Sequence, residues 1–279
     1  MRIAIQGVEG SFHHEAAEVM NAGEAYDLVP KKTFGEVFGA VHDGSAEVGL
    51  TAIENNLHGS INAVYALLDR YNVWITKDLR MQIVQNLIGK TAVDLSELKE
   101  GRGVKVLSHP VALAQVDQWL NSFLPLADRI ERDDTASSVK SVVESPRRNR
   151  FAVAGKFAAQ MYGAEIVASN IQDDPSNYTR FIMFQKEREF IPDASHGSLI
   201  MLLDHTPGAL HQALGIFAQY GCNLVKLHSH PLASDRQHYQ FYVDYELNKS
   251  NGNVLADLNA MGADIKLLGF YNRVKDNRN

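Results

Sequence analysis

Cysteine is almost missing from this chain of 279 residues: Cys222 stands alone. A single thiol excludes an internal disulfide and fits a reducing compartment. Long apolar runs are missing too, with no stretch near the roughly 20 residues that a bilayer-spanning helix requires. Concentrated positive charge is also lacking. The net charge is −6, and no basic block or aromatic-basic interleaving offers the clustered cationic face that nucleic acid demands. The first residues, Met1 to Gly7, lack the charged and apolar regions of an export signal, so the expectation is a cytoplasmic protein without a membrane partner. Internal repeats and low-complexity segments are absent.

What remains is a globular composition, 45% hydrophobic and 22% charged, on a length that suits two domains. Diffuse acidity cannot steer an anion, so any anion site must be assembled from local groups. Up to about residue 185, short strands alternate with amphipathic helices. Ser11 is placed to cap a helix through Met20, and Thr33 with Glu36 makes a capping box. The alternation predicts parallel sheets covered by helices, arranged as two lobes around a cleft. Lobe one is expected over about 1–75 plus 170–185, and lobe two over about 76–169. A helix is expected from Pro110 through Leu120, and another over Thr135–Glu144. Residues 186–197 form a polar linker. Residues 198–275 then follow the order βαββαβ, an α+β ferredoxin-like unit, with Thr206 and Pro207 opening its first helix and a polar turn at Ser234–Arg236.

Four strand-end turns carry polar groups where open α/β sheets bind ligands: Ile53–Ser60, Ser108–Gln115, Asp133–Ser138 and the approach to Thr179-Arg180-Phe181. Taken singly, ordinary capping explains each turn, and an edge strand explains Thr-Arg-Phe. Strand alternation puts Thr179 and Phe181 on one face and Arg180 on the other, unless twist or a bulge lets Arg180 lean into the cleft. Together the turns suit a small, oxygen-rich anion. Eleven histidines are present, but their spacing completes no metal shell, so no metal is expected. Gly7-Val8-Glu9-Gly10 lacks the spacing of a nucleotide loop.

The order of Gly7–Phe12, Ile53-Glu54-Asn55, Ser108-His109-Pro110 with Ala114-Gln115, Asp134-Thr135-Ala136, Ile171-Gln172-Asp173 and Thr179-Arg180-Phe181 resembles the prephenate dehydratase family. The tail resembles an ACT regulatory domain, through Pro207-Gly208-Ala209-Leu210 and Asn223–Pro231. The resemblance implies a catalytic region with two lobes like a type II periplasmic binding protein, and conversion of prephenate to phenylpyruvate, carbon dioxide and water. It implies no cofactor. Thr179 would assist departure of the ring hydroxyl, and Asn55, Ser108 and Gln115 would hold or polarise the substrate, with Glu54 as the nearest titratable group. Arg180 would bind a carboxylate, beside Phe181, Ser11, Thr135 and Ala136.

The same resemblance implies phenylalanine as effector at Gly208, Ala209, Leu210, Asn223, Leu224, His228, Ser229 and His230, although His228-Ser229-His230-Pro231 stands where the family typically has Glu-Ser-Arg-Pro. Self-association through paired sheet edges, as a dimer or a tetramer, is also expected. The alternatives are arogenate as substrate, or a non-catalytic cytosolic amino-acid sensor.

Overall fold

A computed structural model describes residues 1–231, 238–247 and 254–276. The chain starts with β1 (Arg2–Gln6), α1 (Phe12–Met20), β2 (Asp27–Lys31), α2 (Phe34–His42), β3 (Val48–Asn55), the short β4 (Gly59–Ser60), α3 (Asn62–Arg70) and β5 (Trp74–Gln82). Ser11 caps α1 by accepting from the N–H of His14, and Thr33 caps α2 by accepting from that of Glu36. β1 runs parallel to β2 and β3.

Lobe two follows with β6 (Asn86–Gly89), β7 (Lys105–Ser108), α4 (Pro110–Ala114), α5 (Asp117–Phe123), β8 (Asp128–Glu131), α6 (Thr135–Glu144), β9 (Arg150–Ala154), α7 (Lys156–Tyr162) and β10 (Glu165–Ala168), in a sheet of order β10-β6-β9-β7-β8. β11 (Tyr178–Gln185) returns to lobe one and inserts antiparallel between β3 and β5. The chain thus crosses between lobes twice, near Ile83–Gln85 and near 172–177.

Two expectations need correction here. The lobe boundary falls after Gln82 rather than at Thr76. The polar run Thr76-Lys77-Asp78 reads like a connection, yet Asp78 is fully buried inside β5 because two arginines neutralise it. The helix expected from Pro110 to Leu120 is two helices, broken at Gln115-Val116. Asp173 drives the break: its N–H donates to the Gln115 carbonyl, and its carboxylate accepts from the N–H groups of Gln118 and Trp119 at 3.0 and 3.1 Å. A carboxylate distant in sequence therefore caps α5.

The C-terminal region comprises β12 (His196–Asp204), α8 (Ala209–Gln219), β13 (Leu224–Pro231), β14 (His238–Glu246), α9 (Val254–Ala260) and β15 (Asp264–Val274). Gly208, not Thr206, sits at the N-cap of α8. The strands order as β13-β14-β12-β15, a split βαββαβ arrangement. The polar turn expected at Ser234–Arg236 lies outside the described residues.

β15 is longer than its apolar pattern indicates. Its last residues, Asn272 to Val274, pair in parallel with Lys77 to Leu79 of β5, which joins this sheet to that of lobe one. Gly269 permits the crossing, since a Cβ there would lie 2.3 Å from the Ile75 carbonyl oxygen. The two units share one core, in which Phe38, Tyr65, Ile182 and Phe184 pack with Ile200, Tyr242 and Tyr271. Among the described residues no helix is long and apolar enough to cross a membrane.

Candidate active site

The cleft between the lobes has a volume of about 420 Å³ and is lined by Ser11, His13, Asn55, Gln115, Thr135, Thr179 and Phe181 among others. A wider hollow of about 820 Å³ beside Trp74 and Phe190 holds none of the candidate residues, so volume alone does not mark the site. One wall of the cleft is closed by the first turn of the chain. Gly10, at φ +79°, lies where a Cβ would press on Tyr162 and Ala158 of α7, and the Tyr162 hydroxyl donates to the Glu9 carbonyl at 2.8 Å. A side chain at Gly10 would be strained by the positive φ and would crowd α7.

Thr179 reaches the cleft from β11. Asn55, paired with it in the ladder, donates through Nδ2 to Thr179 Oγ1 at 3.0 Å and to Asn177 Oδ1 at 2.8 Å. The Thr179 oxygen therefore accepts from Asn55 and keeps its own O–H to donate. Asn55 Oδ1 accepts from the N–H groups of Leu57 and His58, which shapes the turn into β4. Gln115, from the broken helix of lobe two, meets His58 Nε2 at 3.3 Å across the cleft. Ser11 lines the cleft while its hydroxyl oxygen caps α1 at 3.3 Å. Thr135 opens α6, whose cap is the Asp134 carboxylate, bonded to Ser137 N–H at 2.6 Å.

Four candidates lie elsewhere. Arg180 is buried on the opposite face of the sheet, bonded to Asp78 at 3.1 Å, to Asp244 of β14 and to the Tyr271 hydroxyl at 3.0 Å. The pairing with β3 does shift between Arg180 and Phe181, but the irregularity leaves Arg180 turned away from the cleft. Burial opposes the Arg180 charge, and Asp244 and Asp78 outweigh it, raising its pKa well above the ordinary arginine value. Burial likewise works to raise the Asp78 carboxyl, but Arg180 and Arg273 hold it below the usual carboxylate range. Glu54 also faces the C-terminal region, where Lys226 of β13 lies 3.0 Å from its carboxylate. Ser108 is fully buried and donates to the Val153 carbonyl at 2.6 Å. Ala136 is part of the lobe-two core. The period-two geometry of β3 and β11 sends Glu54 and Arg180 away from Asn55 and Thr179.

Among the described residues, no lysine or arginine lines the cleft. Sequence reading missed two groups there. His13 accepts from the Ala52 N–H through Nε2 at 3.2 Å and packs edge-on to Phe181. Burial pushes its pKa down to about 4, so it is neutral with its proton on Nδ1. Gln85 lies in an apolar stretch without any turn signal, so nothing in the sequence marked it.

The effector candidates are divided. Ala209 and Leu210 line a hollow of about 220 Å³ with Tyr239 and Phe241. Gly208 caps α8 beside them. His228 packs instead against Tyr65 of lobe one, at 5.5 Å, and burial lowers its pKa, with Lys226 and His230 adding to the shift. Asn223 donates to Glu246, Leu224 packs partly buried against the C-terminal core, and Ser229 is exposed. No group of three or more metal-binding side chains occurs among the described residues.

Residues 3–189 match the family model described as prephenate dehydratase. The chain is 34% identical over 289 residues to arogenate dehydratase/prephenate dehydratase 2 of Arabidopsis thaliana, covering 97% of this chain and 72% of that one. It is 32% identical over 280 residues to the prephenate dehydratase of Lactococcus lactis subsp. cremoris, covering 97% of each. The solved structure of a prephenate dehydratase from Arthrobacter aurescens in complex with L-Phe superposes with a TM-score of 0.82 at 25% identity, covering 98% of this chain and 90% of that one.

Proposed function

The chain belongs to the prephenate dehydratase family of hydro-lyases, and from that premise we propose that its cleft converts prephenate to phenylpyruvate for phenylalanine synthesis. In that reaction the ring carboxylate leaves as carbon dioxide, its bonding electrons enter the ring, and the C4–O bond breaks. The departing oxygen takes a proton and leaves as water, and the ring becomes aromatic.

The observation that carries the reading is the hydrogen bond from Asn55 Nδ2 to Thr179 Oγ1 at 3.0 Å. It polarises the Thr179 hydroxyl toward donation, which stabilises negative charge developing on the leaving oxygen. A threonine hydroxyl is a weak acid, so Thr179 acts as a donor aimed at that oxygen, with water restoring any proton it gives up. Gln115 and Thr135 supply neutral donors for the carboxylates and Phe181 an apolar wall for the ring. The described lining holds no lysine or arginine and includes Asp133 and Asp134, so in this reading neutral donors hold the dianion.

Arogenate differs from prephenate only in bearing an ammonium where prephenate has a carbonyl. The Arabidopsis relative is named for both activities, so arogenate is the second substrate to assay. Residues 198–275 are proposed to serve as an ACT-type effector module for phenylalanine. The βαββαβ order and the extent of the match to the L-Phe complex support this. Pairing through the edge strand β13 is the proposed route to a dimer, and the cytoplasm is the proposed compartment.

The deciding measurement is turnover of prephenate, with and without Thr179→Ala. Loss of one donor to the leaving group should lower kcat by about 100-fold or more, with KM changed far less. Wild-type protein inactive on both prephenate and arogenate would defeat the reading in favour of a sensor.

A further inference from the structure

Gln85, at the crossing between the lobes, is 1% exposed and lines the cleft. Three of its four polar groups are satisfied. Its backbone N–H donates to Gln172 Oε1 at 3.1 Å, its carbonyl accepts from the Ile171 N–H at 2.9 Å, and its side-chain Nε2 donates to Gln115 Oε1 at 3.1 Å. The fourth, Oε1, has no partner among the described residues. A buried amide oxygen without a donor forfeits its hydration with nothing in return, so such an atom needs a reason.

The orientation of that oxygen is set by a relay. Gln115 Nε2 lies 3.3 Å from His58 Nε2, which accepts from it in the tautomer that carries its proton on Nδ1. In this arrangement Gln115 Oε1 accepts from Gln85 Nε2. The residual Gln85 atom is therefore an acceptor, held by a chain that ends on the exposed His58 of the opposite lobe.

We propose that Gln85 Oε1 accepts a hydrogen bond from the ring hydroxyl of the substrate, an inference that rests on the reaction proposed above. Prephenate offers two carboxylates and a carbonyl, all acceptors, and one donor, the C4 hydroxyl that departs. With its hydrogen directed to Gln85, the hydroxyl turns a lone pair toward the Thr179 O–H. Gln85 thus orients the leaving group for the donor that assists it. Arogenate adds an ammonium as a second possible donor.

The test compares wild type with Gln85→Met, which removes the acceptor together with the Nε2 bond to Gln115 at similar volume, on prephenate and on arogenate. Phenylpyruvate, which has lost the ring hydroxyl, serves as competing ligand. Loss of one oriented hydrogen bond is expected to lower kcat/KM by about tenfold on any substrate that turns over, while inhibition by phenylpyruvate stays unchanged. Equal effects on turnover and phenylpyruvate binding, or no effect on either, would overturn the proposal. A loss confined to arogenate would assign the acceptor to the ammonium and overturn the hydroxyl assignment. Should Gln85→Met not fold, His58→Leu on the exposed end of the relay takes its place. It frees the amide chain to invert and should cost about threefold in kcat/KM, again sparing phenylpyruvate; an unchanged rate would overturn the relay. Wild type inactive on both substrates would sink the reaction first, and this inference with it.

Discussion

Arg180 sits one residue from Thr179, yet strand geometry sends the two side chains to opposite faces of β11. Its guanidinium meets Asp78 and Asp244 in a buried cluster that Tyr271, Ser198 and Arg273 complete. Removing one partner from such a cluster strands the remaining charges in a poorly solvated site. Arg180→Met should therefore lower unfolding free energy by about 3–5 kcal/mol in urea titrations, with KM for substrate unchanged in the folded fraction. A tenfold rise in KM with the unfolding midpoint intact would mean that Arg180 does contact the substrate. The Thr-Arg-Phe pattern was legible as a place of importance. Alternation separated Thr179 and Phe181 from Arg180 but did not say which face meets the cleft, and the partners that hold Arg180 away from it lie 64 to 102 residues away and left no local trace.

At the scale of elements, β13 touches the turn that carries Asn55. Lys226 Nζ lies 3.0 Å from Glu54 and 2.6 Å from the Ser60 hydroxyl, over the ring of Tyr65. One edge strand of the C-terminal sheet thus braces the segment whose next residue holds Thr179. Lys226→Met keeps the apolar stem and removes the charge. It should lower kcat/KM about threefold to tenfold, and a double-mutant cycle with Glu54→Gln should return a coupling of about 1 kcal/mol in stability. A coupling of zero would show that the pair carries no tie. Of the helices, Thr135–Glu144 was readable to the residue, because its signals are local. The break at Gln115 was not, because its cause is Asp173, brought there only when the chain crosses back.

Across the whole molecule, β15 and β5 fuse two sheets into one, and the shared core around Tyr65, Tyr242 and Tyr271 leaves the C-terminal unit no independent seat. A ligand that shifts β12–β15 must therefore strain the strands flanking β11, which gives the proposed regulation a mechanical path. Phenylalanine is expected to bind by calorimetry and to reduce turnover, with the chain sedimenting as a dimer or larger assembly. Binding without any effect on rate would break the coupling, and a monomer at micromolar concentration would remove β13 as the pairing edge. The exposed edge of β13 bears Leu227 and Ser229.

By itself the sequence determined the alternation of elements and the two-lobed plan, since each follows from nearest-neighbour chemistry and periodicity, while resemblance to a family singled out Asn55, Gln115 and Thr179. Only the tertiary structure decided that Arg180 and Glu54 serve the junction, that Ser108 is spent on Val153, and that Gln85 and His13 belong to the cleft. Those outcomes depend on which distant group arrives to satisfy a charge or a hydrogen bond, and distance along the chain carries no record of that meeting.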